Sequence, residues 1–298
     1  MFSGSIVALI TPFKDSNVDF EALESLINFH IEHGTDAILV CGTTGESPTL
    51  TFEEHRKVIE KSVEFAKNRI KIIAGTGANA THEAIELTEH AKKAGADACL
   101  LVAPYYNRPT QEGIYRHFLS VAKEVDIPII LYNIPSRTGV EISPNTIKRL
   151  VDECPNIVGT KESTQNMDRI SELYRLIGHG FSILSGDDSL TLPMMALGAK
   201  GVISVANNIM PVAIKSMVDF ALRGDFKNAR RLHYYLLPLF KVLFIETNPI
   251  PVKTACSLMG MCKLELRLPL CEMSKENYNL LLETLKGYNL PIKDESRV

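Results

Sequence analysis

No stretch of this sequence approaches the roughly 20 apolar residues of a transmembrane helix. No long run of like charge interrupts a formal net charge of −3, so neither nucleic acid nor an anionic membrane is expected as a partner. The basic pair Arg230-Arg231 lies in a mixed, helix-like stretch and reads as a solvated face. The N-terminal Met1-Phe2-Ser3-Gly4-Ser5 has no basic region ahead of an apolar stretch, so no secretory signal is expected. No CxxC pair occurs among the six cysteines (Cys41, Cys99, Cys154, Cys256, Cys262 and Cys271). They read as reduced core thiols of a cytoplasmic protein, none of them catalytic. There is no low-complexity linker. The eight histidines do not gather at predicted strand ends, only His82 coming close, which speaks against a metal-dependent aldolase.

What is present is ordinary for a soluble globular chain: 45% hydrophobic and 22% charged residues. Its 298 residues suffice for one large α/β barrel or two ordinary domains. The dominant pattern is alternation. Apolar, strand-like runs are predicted at 5–11, 37–41, 71–75, 98–103, 128–132, 157–160, 181–185 and 201–205. Between them, stretches such as 20–33, 53–67, 82–93 and 111–124 carry apolar residues every three or four positions, as helices do. Thr51 with Glu54, Thr81 and Ser143-Pro144 are expected helix starts, and His33-Gly34, Ala94-Gly95 and Leu197-Gly198 expected helix ends. Eight strands alternating with helices predict an α/β fold, a (β/α)8 TIM barrel over residues 1–224. Residues 225–298, helical in pattern at 226–245, 251–259 and 275–285, are expected to form a C-terminal helical extension of one functional domain.

Barrel enzymes place their chemistry at the carboxyl ends of the strands. The sixth predicted strand ends in Lys161. A lysine there is expected to be at least partly desolvated. A neutral amine attacks a ketone to give a Schiff base. On the strand alone, a lysine that snorkels to solvent or pairs with Glu162 is an equally good reading. Thr43-Thr44, set between Gly42 and Gly45, offers hydroxyls and backbone N–H groups that can hold a carboxylate, or is a simple tight turn. Tyr132, ending the fifth strand, can carry protons for a carbinolamine at Lys161, or is a packed aromatic. Arg137, in the loop beyond, suits a second carboxylate by a bidentate contact.

Other signals are discounted. Gly75-Thr76-Gly77-Ala78-Asn79-Ala80 resembles a dinucleotide loop but lacks the acidic residue at the next strand end. His30 and His33, one helical turn apart, are expected to face solvent. Asp187-Asp188 alone is weak support for a cation site, and no metal is expected.

Four strand-end motifs, GTTGES at 42–47, PYYNRP at 104–109, YNIPSRTG at 132–139 and GTKES at 159–163, resemble those of the dihydrodipicolinate synthases (4-hydroxy-tetrahydrodipicolinate synthases) of the pyruvate-dependent class I aldolase superfamily. The resemblance runs from Gly4 to about Met259. It implies that Lys161 forms an imine with pyruvate, that Tyr132 donates and accepts protons, and that Thr43 and Tyr106 complete the relay, Tyr106 from a neighbouring subunit. It implies that Thr44 holds pyruvate's carboxylate, that the Ile203 backbone and Gly186 border the site, and that Arg137 binds the carboxylate of L-aspartate 4-semialdehyde. No metal or organic cofactor is implied. A homotetramer, a dimer of dimers, is the family's assembly. Ser47, His55, Asn79, Glu83 and Tyr105 match an allosteric site for the feedback inhibitor L-lysine, although Pro48 and Phe52 depart from the pattern of sensitive bacterial members.

The rivals within the superfamily are N-acetylneuraminate lyases and 2-keto-3-deoxy sugar-acid aldolases. The SRTG sequence at 136–139 favours the synthase over both. A pyruvate-binding barrel without chemistry is a rival from another class, but such a protein is expected to have lost Lys161 or a relay tyrosine first.

Overall fold

In the computed structural model, which describes residues 2–293, the apolar runs form one closed sheet. The barrel strands are β1 (Gly4–Ala8), β2 (Ala37–Val40), β3 (Lys71–Gly75), β4 (Ala98–Val102), β5 (Ile129–Asn133), β6 (Ile157–Glu162), β7 (Ser182–Ser185) and β8 (Gly201–Ser204). Each pairs in parallel with its sequence neighbours, and β1 closes the ring by pairing with both β2 and β8. The predicted (β/α)8 barrel is therefore the observed fold.

Alternation along the strands separates two cores. Ile6, Ala8, Leu39, Ile73, Leu100, Ile130, Leu184 and Ile203 fill the barrel. Phe2 joins them, and the Nζ of Lys71, the first residue of β3, lies over its ring at 5.3 Å, so Phe2 plugs the amino-terminal end. The opposite strand faces meet the helices α1 (Phe20–Glu32), α2 (Phe52–Ala66), α3 (Thr81–Ala94), α4 (Gln111–Glu124), α5 (Pro144–Glu153), α6 (Met167–Ile177), α7 (Thr191–Ala196) and α8 (Pro211–Leu222) in an outer core. The extension forms α9 (Phe226–Val242), α10 (Ile250–Leu258) and α11 (Lys275–Gly287). Leu236, Leu239, Val252, Ala255 and Leu281 belong to that same outer core. The extension expected over 225–298 is described as far as 293, and residues 294–298, like Met1, lie outside the described residues. Among the described residues no helix is long and apolar enough to cross a membrane.

Local signals hold where their side chains are free to act. Thr51 and Glu54 form a reciprocal capping box, and Ser143 caps Thr146 ahead of Pro144. Thr81 does not cap: its hydroxyl pairs with His117 Nδ1 at 3.0 Å, and Ala80 holds the cap position of α3 without a side-chain bond. β1 stops at Ala8, short of the predicted 11, where Asn208 takes over the ladder by accepting from the Ile10 N–H at 3.2 Å. His30 does not face solvent. It lies on the apolar stripe of α1 with Leu23, Leu26 and Ile27, fully buried, and its Nδ1 meets Thr35 Oγ1 at 3.0 Å. All six cysteines are free thiols. Cys262 is only half-buried and Cys271 is exposed, so the expectation of core thiols fails for these two.

Candidate active site

Strand register makes Tyr132 and Lys161 lateral partners on β5 and β6, with Leu184 of β7 on the other side of Lys161. Lys161 points into the barrel. It is 5% exposed, and its Nζ sits 4.3 Å from the centroid of the Tyr132 ring. Glu162, the next residue, points outward. Its carboxylate receives Arg169 Nε and Nη2 at 2.9 and 3.1 Å, Asn133 Nδ2 at 2.9 Å and Thr160 Oγ1 at 3.0 Å. The Lys161–Glu162 pair is thus ruled out by the strand's own alternation, and snorkelling is ruled out by the burial of the side chain.

Gly186 explains how the lysine fits. Its N–H donates to the Glu162 carbonyl at 2.8 Å, and a Cβ built there comes within 2.9 Å of Lys161 Cε and collides with Ser163 Oγ. Only a residue without a side chain lets the β7 loop lie against the amine's stem. Ile203 of β8 is 1% exposed and shares the barrel core with Tyr132 and Leu184. The loop after β8 is fastened by Asp188. One of its oxygens accepts from the Val205 and Ala206 N–H groups at 3.1 and 3.0 Å, and burial pushes its carboxyl up to about 6. Asp187 is used locally, accepting from Ser189 N–H and hydroxyl.

The turn after β2 is not a free loop. Thr44 is buried, and its Oγ1 accepts from Asn248 Nδ2 at 3.1 Å. Glu46 takes a left-handed backbone and buries its carboxylate against Lys253 Nζ at 2.5 Å, both side chains being inaccessible to solvent. Burial pushes the Lys253 ammonium down and the Glu46 charge opposes this. The Nζ also lies 3.9 Å from the Phe13 ring centroid. Arg267 grips the same loop, its N–H reaching Glu46 Oε2 at 3.2 Å and its guanidinium making a fork to Glu54 at 2.6 and 2.7 Å.

A cleft of about 470 Å³ opens beside the barrel mouth. Thr43, Tyr132 and Arg137 lie on its wall together with Ser47, His55, Glu83 and Tyr105, so two of the three expected relay residues and four of the five expected lysine-site residues share one hollow in the single chain. Asn79 is not on that wall; its Nδ2 donates to the Tyr105 carbonyl at 3.4 Å. Arg137 is exposed at the mouth, in the turn Pro135–Thr138 that follows β5, and donates through Nη2 to the Asn248 carbonyl at 3.2 Å. Tyr106 is not brought to the others. It has φ +74° and is 90% exposed, projecting away from its own barrel. The glycine-rich run 75–80 serves packing: a Cβ on Gly75 meets the Cys41 carbonyl and one on Gly77 meets the Val102 N–H. Asp188, weighed in the sequence only as a cation ligand, instead fastens the loop after β8. Asn248 and the Glu46–Lys253 pair escape sequence reasoning. The Asn-Pro-Ile-Pro run at 248–251 and a lysine inside the apolar α10 are the only signals pointing to them.

The chain as a whole has close relatives among known proteins. A profile of the Dihydrodipicolinate synthetase family matches residues 1–288. The 4-hydroxy-tetrahydrodipicolinate synthase of Aquifex aeolicus is 70% identical over 294 residues, 99% of this chain and 100% of that one. The crystal structure of dihydrodipicolinate synthase from Aquifex aeolicus superposes with a TM-score of 0.98, covering 98% of this chain and 100% of its own. A dihydrodipicolinate synthase from Cyanidioschyzon merolae, solved with lysine bound, is 40% identical at a TM-score of 0.95 over 97% of this chain and 99% of its own. With its eight-stranded barrel and Lys161 buried against Tyr132, the chain belongs to the dihydrodipicolinate synthetase family.

Proposed function

We propose that this chain condenses pyruvate with L-aspartate 4-semialdehyde through a Schiff base on Lys161. This is the reaction of a 4-hydroxy-tetrahydrodipicolinate synthase, a class I aldolase-type lyase and the first committed step of diaminopimelate and lysine biosynthesis. One observation carries the reading: a lysine amine buried in the barrel against Tyr132, with the neighbouring carboxylate turned outward and neutralised by Arg169. Lys161 Nζ attacks C2 of pyruvate, and loss of water from the carbinolamine gives the imine. Removal of a methyl proton gives an enamine, the imine nitrogen taking the electron pair. The enamine carbon bonds to the aldehyde carbon, whose oxygen takes a proton. The substrate's own amine then attacks C2 and displaces Lys161, closing the ring.

Tyr132 is the proton carrier beside Lys161, relayed by Thr43 and, from a neighbouring subunit, by Tyr106, whose exposure suits that crossing. Thr44 holds pyruvate's carboxylate, with Gly186 and Ile203 shaping the space around C2, and Arg137 holds the carboxylate of the semialdehyde. The imine nitrogen is itself the electron sink, so the chemistry calls for no metal or organic cofactor. We assign the chain to a cytoplasmic homotetramer. Lysine is the expected feedback ligand of the hollow lined by Ser47, His55, Glu83 and Tyr105, with Asn79 beside it; Glu83 supplies the charge a cationic amino acid needs.

Turnover of both substrates, coupled to a nicotinamide-dependent reductase that consumes the product, tests the proposal. Nicotinamide oxidation should require pyruvate and the semialdehyde together, and Arg137→Ala should raise KM for the semialdehyde on the order of 100-fold, the loss of a charge-assisted bidentate contact. No turnover with this pair, but cleavage of N-acetylneuraminate or a 2-keto-3-deoxy sugar acid, would move the chain to the lyase side of the superfamily.

A further inference from the structure

Among the contacts by which the extension reaches back to the barrel mouth, Asn248 makes two. Its Nδ2 donates to Thr44 Oγ1 at 3.1 Å, and its main-chain carbonyl accepts from Arg137 Nη2 at 3.2 Å. Asn248 is 7% exposed and Thr44 3%, so bulk water does not replace the contact between them, whereas Arg137 is exposed. We propose that Asn248 is a positioning residue that sets both carboxylate subsites, orienting the Thr44 hydroxyl through its side chain and the Arg137 guanidinium through its main chain. The identity of the two carboxylates rests on the Schiff-base reading above.

A threonine hydroxyl has one proton and two acceptor positions. With one acceptor position taken by Asn248, the Thr44 proton is left to donate elsewhere, as a bound carboxylate requires. Arg137 uses one N–H on Asn248 and keeps a bidentate edge for a second carboxylate. The residue type matters. An amide donates without adding charge, whereas an aspartate at the same place would accept the Thr44 proton and repel the pyruvate carboxylate. A second contact fixes the spacing. Five residues after Asn248, Lys253 is locked to Glu46, itself two residues after Thr44. The turn after β2 and the start of α10 are therefore joined at two rungs, and Asn248 is the rung nearest the site.

The test measures the pyruvate concentration that half-saturates borohydride trapping of the imine, which needs no semialdehyde. Asn248→Ala keeps the main-chain carbonyl and deletes the donor. It should raise pyruvate half-saturation three- to tenfold, the range of a single lost hydrogen bond, with KM for the semialdehyde unchanged within twofold. In a Thr44→Val background the same substitution should have no further effect, an outcome a general loss of packing would not give. Asn248→Asp, of the same shape, should weaken pyruvate more than Ala does, and it serves if the Ala variant does not fold. Wild-type half-saturation in the Ala or the Asp variant, or an undiminished effect in the Val background, would overturn the proposal. A wild-type protein that traps no imine would instead sink the Schiff-base reading, and this inference with it.

Discussion

Lys161 and Glu162 share a strand and point opposite ways, and that opposition makes the site. The outward acid is held by four donors, and the inward amine is left beside a phenol ring. The least conspicuous participant is Gly186. A methyl group there meets Lys161 Cε at 2.9 Å, which displaces the amine or the β7 loop. Gly186→Ala should lower turnover on the order of 100-fold, as misplacing a reacting atom by about an ångström does, with the barrel still folded by circular dichroism. Wild-type turnover would show that the loop yields without cost to the lysine. That Lys161 ends a buried strand is plain from the sequence, because the apolar run stops at it. The need for a side-chain-free residue 25 positions later, at Gly186, is not, since it depends on how β6 and β7 lie together.

At the scale of elements, the turn after β2 is locked to the extension more firmly than a loop of six residues suggests. The Glu46–Lys253 pair spans 207 residues of sequence and is fully buried. Removing Lys253 leaves the buried Glu46 carboxylate without its ion-pair partner, held only by the Arg267 N–H and the more distant Arg267 charge. Lys253→Met should cost about 3–5 kcal/mol of stability in denaturant unfolding, and adding Glu46→Gln should restore part of it. Equal stability of the single variant and the wild type would mean that the pair carries nothing. Individual strands and helices were legible because their periodicity is local. The pair was not, because GTTGES and the α10 lysine carry no sign of each other until the chain has folded. The reading of His30 as solvent-facing failed for a related reason. Its place on the stripe with Leu23, Leu26 and Ile27 was in the sequence, but a polar residue type outweighed its position.

For the whole molecule, buried titratable groups set the response to pH. Burial lowers His30 to about 3, and His55 and His117 to about 4. Unfolded, all three titrate near 6.5. Their contribution is therefore fully present above pH 6.5 and is lost as the pH falls through 4 and then 3. Asp188 runs the other way. Raised to about 6, it contributes stability fully present below its unfolded value near 3.8 and lost as the pH rises through 6. Three groups oppose one, each moved at least as far, so the histidines decide the sign. The fork from Arg267 holds Glu54 down to about 2, which adds a further loss below pH 4.5. Unfolding free energy should fall between pH 7 and pH 5 by a few kcal/mol, to order of magnitude. A melting temperature equal or higher at pH 5 would contradict this. The barrel was legible from alternation alone, since eight strand–helix repeats admit few other closures. Which polar groups end up buried was not, because burial is a property of the packed shell and not of any one helix.

The account stands or falls on the nucleophile. Incubation with pyruvate and borohydride, followed by peptide mapping, should place one reduced pyruvyl adduct on Lys161, with irreversible loss of turnover, and should leave Lys161→Ala folded but unlabelled. An adduct on another lysine, or full turnover in that variant, would contradict the Schiff-base account directly.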